Sequence, residues 1–227
     1  AEGRGHPALS DWSAPPSYLA QVEFTGDVIS FTRPWHLFQQ CGQAIAHDFK
    51  LLTEGRRTER LSAYNTVIGD TELIFLEQGA VVEASILNTK SGPIYIGKDA
   101  EVMEGCMLRG PVAVGDHTQL KMGAKVYGPT TFGPECRVGG EVTNSVITGF
   151  SNKGHDGFLG NSVLGEWCNL GADTNTSNLK NTYGNVQVYS AVKKGMVDTG
   201  VQFCGLLMGD HGKSGINTMF NTGTVVG

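Results

Sequence analysis

Charge is scarce in this 227-residue chain: Asp, Glu, Lys and Arg make up 17% of it, against about a quarter in an average soluble domain. The net charge is −5, which argues against a nucleic-acid or anionic-membrane partner, since both select basic surfaces. Long apolar runs are missing. None approaches the ~20 residues that span a bilayer, so no membrane segment is expected. The first residues, AEGRGHPALSDW, lack the apolar core of a signal peptide. Paired cysteines are missing too: Cys41, Cys106, Cys136, Cys168 and Cys204 stand apart, with no C-x-x-C. An odd, scattered set reads as reduced thiols of a cytoplasmic protein rather than a disulfide framework. The chain starts without Met and stops at Thr224-Val225-Val226-Gly227 in mid-pattern, so a piece of a longer protein is expected.

Glycine is abundant instead, at 32 residues, about twice average usage. There is no G-X-Y period, and 40% of the chain is hydrophobic, enough for a substantial core. Residues 1–74 hold 6 glycines and 75–227 the other 26, which divides the chain into two segments. In the first, Gln21 to Phe31 has the apolar spacing of two short strands turning at Gly26-Asp27. Trp35, Phe38, Gly42, Ile45, Phe49 and Leu52 then recur at steps of three and four, one face of a helix over about 34–54. Pro34 suits its first turn and Gly55 its C-terminal cap. Residues 1–74 read as a small α+β joint.

The second segment is an internal repeat. Ile96, Val102, Leu108, Val114, Leu120, Val126, Phe132 and Val138 are apolar and six apart, without a break. Four positions after each stands a small residue, among them Ala100, Cys106, Thr118, Ala124 and Cys136. The register then slips by about two residues and resumes at Phe158, Leu164 and Leu170. Phe75 and Val81 start the pattern faintly. A period of six fits neither the helix nor simple alternation. It fits a short strand and a tight turn, three to a coil of 18 residues, with coils stacked at ~4.8 Å. Residues 75–227 are therefore predicted to form a mainly β domain, a parallel β-helix of hexapeptide repeats with seven to eight coils, about 35 Å long at that spacing. Cys106, Cys136 and Cys168 fall at the small inward place and read as packing residues.

A regular coil leaves the run Ser151 to Lys180 unexplained. It holds His155, Asp156 and Asn152, Asn161, Asn169, Asn175 and Asn178. Asn can occupy a left-handed corner, so some are turn residues. His155 is the histidine that falls at the register slip, and histidine suits proton transfer near neutral pH. His6 lies near the N-terminus, His36 and His47 on the helix, and His117 and His211 in regular turns after Gly-Asp. His117 and His155 read as equivalent hexad places two coils apart. At ~10 Å one chain could not bring both to one zinc, and no metal is expected.

These residues resemble a known family. His155 in GHDGFLG, followed by LGEWCNLGAD and SNL, is similar to the C-terminal acetyltransferase domain of the bacterial bifunctional N-acetylglucosamine-1-phosphate uridylyltransferase/glucosamine-1-phosphate acetyltransferase. PWHLF, GPIYIGKDAEVMEG, SNKGHDGFLGNS, GEWCNLGADTN and INTMFNTGTVVG look closer still to sugar-1-phosphate nucleotidylyltransferase-like proteins of Bacteroidetes type. The likeness covers about 31–227. It implies a left-handed coil, a homotrimer with sites between neighbours, and acetyl-CoA or another acyl-CoA as co-substrate. It also implies a sugar phosphate or nucleotide sugar as partner, with no nucleic acid and no membrane. His155 matches the family's catalytic base. Asn169 and Asn178 match its sugar-contacting asparagines. Lys125 falls at the phosphate-binding Arg, Phe158 at a substrate-contacting Tyr, Thr143 at a phosphate-binding Lys and Ile216 at a coenzyme-A-contacting Ser.

The G-x-G-T-R-M opening of a nucleotidyltransferase is absent from 1–227, so Mg is expected only for a half this chain does not contain. Two functions follow from the resemblance. One is an acyltransferase-like domain acting on an amino sugar phosphate, behind the end of a nucleotidyltransferase domain in 1–74. The other is a non-catalytic trimerisation or regulatory module of a sugar-1-phosphate uridylyl- or thymidylyltransferase.

Overall fold

Short strands of two to four residues alternate with turns along most of the chain, as the six-residue period requires. The computed structural model describes Ala20, residues 22–26 and residues 28–227. The strands fall on three faces. The first face runs from Thr66–Ile68 through six paired strands to Phe158–Gly160. The pair Asn175–Thr176 and Met219–Phe220 carries it on, tied to Phe158 by side-chain hydrogen bonds. The second face has eight strands, from Ile74–Leu76 to Val225–Val226, and the third has seven, from Val81–Val82 to Lys213–Ser214. All are parallel to their neighbours, each paired across one coil, as Val126 is with Leu108 and Val142.

The large hexad residues fill the prism. Ile96, Val102, Leu108, Val114, Leu120, Val126, Phe132 and Val138 are all buried, and so are the small corner residues Ala100, Cys106, Thr118, Ala124, Thr130 and Cys136. Cys168 packs in the same core, and the five cysteines are free thiols.

The register after Val138 corrects the sequence reading. The inward residues are Val142, Ile147, Lys153, Leu159, Leu164 and Leu170. Leu159 is fully buried, while Phe158, expected inside, points outward on the first face. The cause is a set of short corners. Only Gly139 and Gly140 separate Val138 from the next strand, with Gly140 at φ +70, a conformation open to glycine at little cost. Inward Val142 and Ile147, and inward Leu159 and Leu164, are then five apart, where Leu108 and Val114 are six apart, so a step of six back from Leu164 lands on Phe158. With apolar residues at both 158 and 159, the sequence pattern alone does not choose between them. A one-residue shift occurs at the start as well. Leu76 and Val82 are inward, Val81 is exposed, and Phe75 stacks outside on the Tyr95 ring at 6.0 Å. Coiling begins at Thr66–Ile68, ahead of Phe75.

Helix α1, His36–Thr53, lies on the second face. Trp35, Phe38, Cys41, Ile45 and Phe49 are buried, and Leu52 is partly exposed. Gly42 lets α1 approach closely, since a Cβ there would stand 3.1 Å from Pro129 Cγ. Pro34 precedes the helix, and Gly55 follows it at φ +70.

Between Thr176 and Leu207 the chain leaves the coil for an antiparallel hairpin, Gln187–Ser190 with Gly195–Asp198. Val186, Val188 and Cys204 bury against Trp35, Phe38 and Val163. Within the run Ser151 to Lys180, residues 151–176 continue the stacked coils of the prism. Phe31–Gly227 forms one compact unit. The described residues before it contain no helix or strand; the proposed turn's Gln21 and Asp27, and His6, lie outside the described residues.

Candidate functional site

The outward row of the third face holds Gln119, Arg137, Asn152, Asn169 and Lys213, in register from coil to coil. Two residues further along each strand stand Lys121, Gly139, Gly154, Gly171 and Gly215. The missing side chains leave a trough along the prism axis. Lys121 stands at one end, and Ala172 and Ile216 at the other. The cleft is about 420 Å³ and is also lined by Arg137, Asn152, His155 and Asn169.

His155 is exposed in the turn 154–157, between the third and first faces. Among the described residues its imidazole has no hydrogen-bond partner, so it is open to a ligand. Lys121 Nζ donates to Gln119 Oε1 at 2.8 Å. Arg137 donates to the carbonyls of His117 and Cys136 at 3.2 and 3.1 Å, and is 3.9 Å from Glu135 Oε2. The cleft's lining includes two cations and no carboxylate.

The remaining expected residues lie around the corner. Lys125, Glu141 and Phe158 share a row of the first face, with Lys125 Nζ 3.9 Å from Glu141 Oε2. Phe158 N–H donates to Asn175 Oδ1, and Asn178 Nδ2 donates to Asn161 Oδ1 at 2.8 Å. Phe158 and Asn178 meet over Gly160, where a Cβ would collide with both. Lys125 lines a second depression of about 180 Å³ with Asn88, Arg109 and Tyr127. The structure thus brings His155 and Asn169 together, and Phe158 and Asn178 together, with Lys125 two coils from Phe158. Of the five asparagines, Asn161 alone takes a left-handed turn conformation.

Sequence reasoning missed Lys121, Arg137 and Arg109. No motif marks them, but the repeat does: Arg137 precedes inward Val138 and Lys121 follows inward Leu120, which turns both outward on the face of Asn169. The pairing of His117 with His155 needs correction. His117 sits at the corner between the second and third faces, in a left-handed column with Asp99, Glu135, Phe150, Trp167 and His211. His155 sits at the next corner. Among the described residues no three His, Cys, Asp or Glu side chains are placed to hold a metal ion, and no helix is long and apolar enough to cross a membrane.

The fold and this cleft define a hexapeptide-repeat β-helix protein. Over 87 residues, 38% of the chain, it is 36% identical to the "Bifunctional protein GlmU" of Methanocaldococcus jannaschii. Over the same length it is 33% identical to the protein of that name from Methanococcus aeolicus. The chain spans about a fifth of the length of these relatives, 21% and 20% respectively. No protein-family model matches it. Identity and architecture together fit a GlmU-like, C-terminal left-handed β-helix portion.

Proposed function

We propose that this chain is the acyl-CoA-dependent acyltransferase-like portion of a sugar-1-phosphate nucleotidylyltransferase, acting on an amino sugar phosphate. The observation that carries this reading is the shared cleft of His155 and Asn169, with two cations and no carboxylate in its lining. His155 takes a proton from the sugar's amino group as the nitrogen attacks the thioester carbon. The C–S bond breaks, coenzyme A leaves as thiolate, and the proton passes on to the sulfur. Asn169 holds a sugar hydroxyl, and Lys121 and Arg137 meet the phosphate.

Lys125, Phe158 and Asn178 stand on the first face, so they reach a substrate in the cleft from a neighbouring protomer of a homotrimer. The residues ahead of the coil, before Thr66, are the joint to a nucleotidyltransferase domain, and Mg belongs to that half alone. Five free, buried cysteines support a reducing compartment, the cytoplasm. Thiol release from acetyl-CoA with glucosamine 1-phosphate tests the reaction. Sedimentation tests the shared site: a mass equal to the 24.2 kDa of one chain counts against it.

The second reading, a non-catalytic trimerisation or regulatory module, is favoured by Thr143 and Phe158 in place of the family's Lys and Tyr, and by the pairing of Lys125 with Glu141. Absence of transfer to any amino sugar phosphate, with the trimer intact, selects it.

A further inference from the structure

Lys153 occupies an inward hexad place. The same column holds Val102, Leu120 and Val138 before it and Leu170 after it. The lysine is 2% exposed. Its Nζ donates to the carbonyl oxygens of Gly139 at 2.8 Å and His155 at 2.9 Å. Among the described residues no backbone N–H reaches either carbonyl. The corner is tight: a Cβ on Gly140 would lie 2.8 Å from both Nζ and the Gly157 carbonyl oxygen, where other coils place Cys106, Ala124 or Thr174.

A lysine is a costly filler for a column of valines and leucines. Burial lowers its pKa to about 8, and the Asp156 carboxylate opposes that only in part. Asp156 lies on its own turn; the strands packed above and below present Val138 and Leu170, which are apolar. Packing alone does not call for an amine here. The hydrogen bonds name what it does: one ends on His155 itself and the other on Gly139, at the same edge of the prism one coil earlier, so the amine ties the turn of His155 to the coil beneath it.

We propose that Lys153 is a positioning residue, which fixes the turn 154–157 from inside the prism and so holds the His155 imidazole at the rim of the cleft beside Asn169. The proposal rests on the reading of His155 as the base.

The test compares wild type, K153M and V102A for acetyl transfer from acetyl-CoA to glucosamine 1-phosphate, with amide hydrogen exchange of residues 154–157 measured alongside. V102A removes a buried side chain from the same column, away from the cleft and with no bond to the turn. K153M is expected to lower kcat tenfold or more, leave the sugar-phosphate KM within twofold, and speed exchange at 154–157 about tenfold. V102A is expected to leave kcat and exchange within twofold below its melting temperature. A K153M protein with wild-type exchange at 154–157 overturns the proposal, whatever its kcat. So does a K153M protein with wild-type kcat beside an active wild type.

If wild type transfers no acetyl group, the reading of His155 falls, and exchange alone judges the role of Lys153. If K153M does not fold, K153Q, too short to keep both bonds, takes its place: exchange at 154–157 several-fold faster than in wild type supports the proposal, and wild-type exchange overturns it.

Discussion

Asn169 pairs in register with Asn152 on the third face, and the turn bearing His155 leaves the coil just after Asn152. Asn169 therefore lies one strand spacing, ~4.8 Å, from the coil that presents the histidine. A ligand touching one residue is within reach of the other. If Asn169 holds a sugar hydroxyl in the ground state, N169A should raise the KM for glucosamine 1-phosphate more than it lowers kcat. Steady-state kinetics on both substrates check this; a fall in kcat at constant KM contradicts it.

Arg137 is anchored by two backbone carbonyls with its side chain on the cleft. R137A should raise the sugar-phosphate KM about tenfold, as expected for one charge-assisted contact, and the effect should shrink in high salt. A KM within twofold of wild type would remove Arg137 from phosphate binding.

The corrected register separates two adjacent residues. L159A deletes a fully buried side chain from the prism and should cost about 2–5 kcal/mol. F158A removes a ring from the outer face and should cost markedly less. Equal losses in denaturant melts would place both residues in the core.

Lys153 also makes stability depend on pH. Burial depresses its folded pKa to about 8, below the ~10.4 of a lysine in the unfolded chain. Between those values the unfolded chain binds the extra proton, so unfolding free energy rises with pH, by at most ~1.4 kcal/mol per unit. The five buried thiols, whose pKa burial raises, act in the opposite sense over part of this range, so in chemical melts from pH 7.5 to 10 wild type should gain stability relative to K153M. The same slope in both proteins contradicts it.

The prism was legible because eight apolar residues at an unbroken step of six determine which side chains turn inward. The slip was visible, but its size was not. It depends on Gly139 and Gly140 closing a corner in two residues and on the five-residue steps from Val142 to Ile147 and from Leu159 to Leu164, and the apolar pattern alone does not declare how tight a turn will be. Lys153 escaped notice for the same cause: with Leu159 read one place early, the lysine fell off the inward column. His155 and Asn169 were legible through residue type and motif. Lys121 and Arg137 were not, since they belong to the cleft through the stacking of coils. The hairpin after Thr176 was hidden because its packing depends on Trp35 and Phe38, far back in the chain.

The most direct measurement is acetyl transfer by H155A set against wild type. His155 is exposed and outside the core, so its loss should change stability by no more than ~0.5 kcal/mol. A general base contributes ~10²–10⁴ in rate. H155A should therefore keep the wild-type melting temperature and native mass while transfer from acetyl-CoA to glucosamine 1-phosphate falls by that factor. Full activity in H155A, or no transfer by wild type to any amino sugar phosphate, would contradict the catalytic reading.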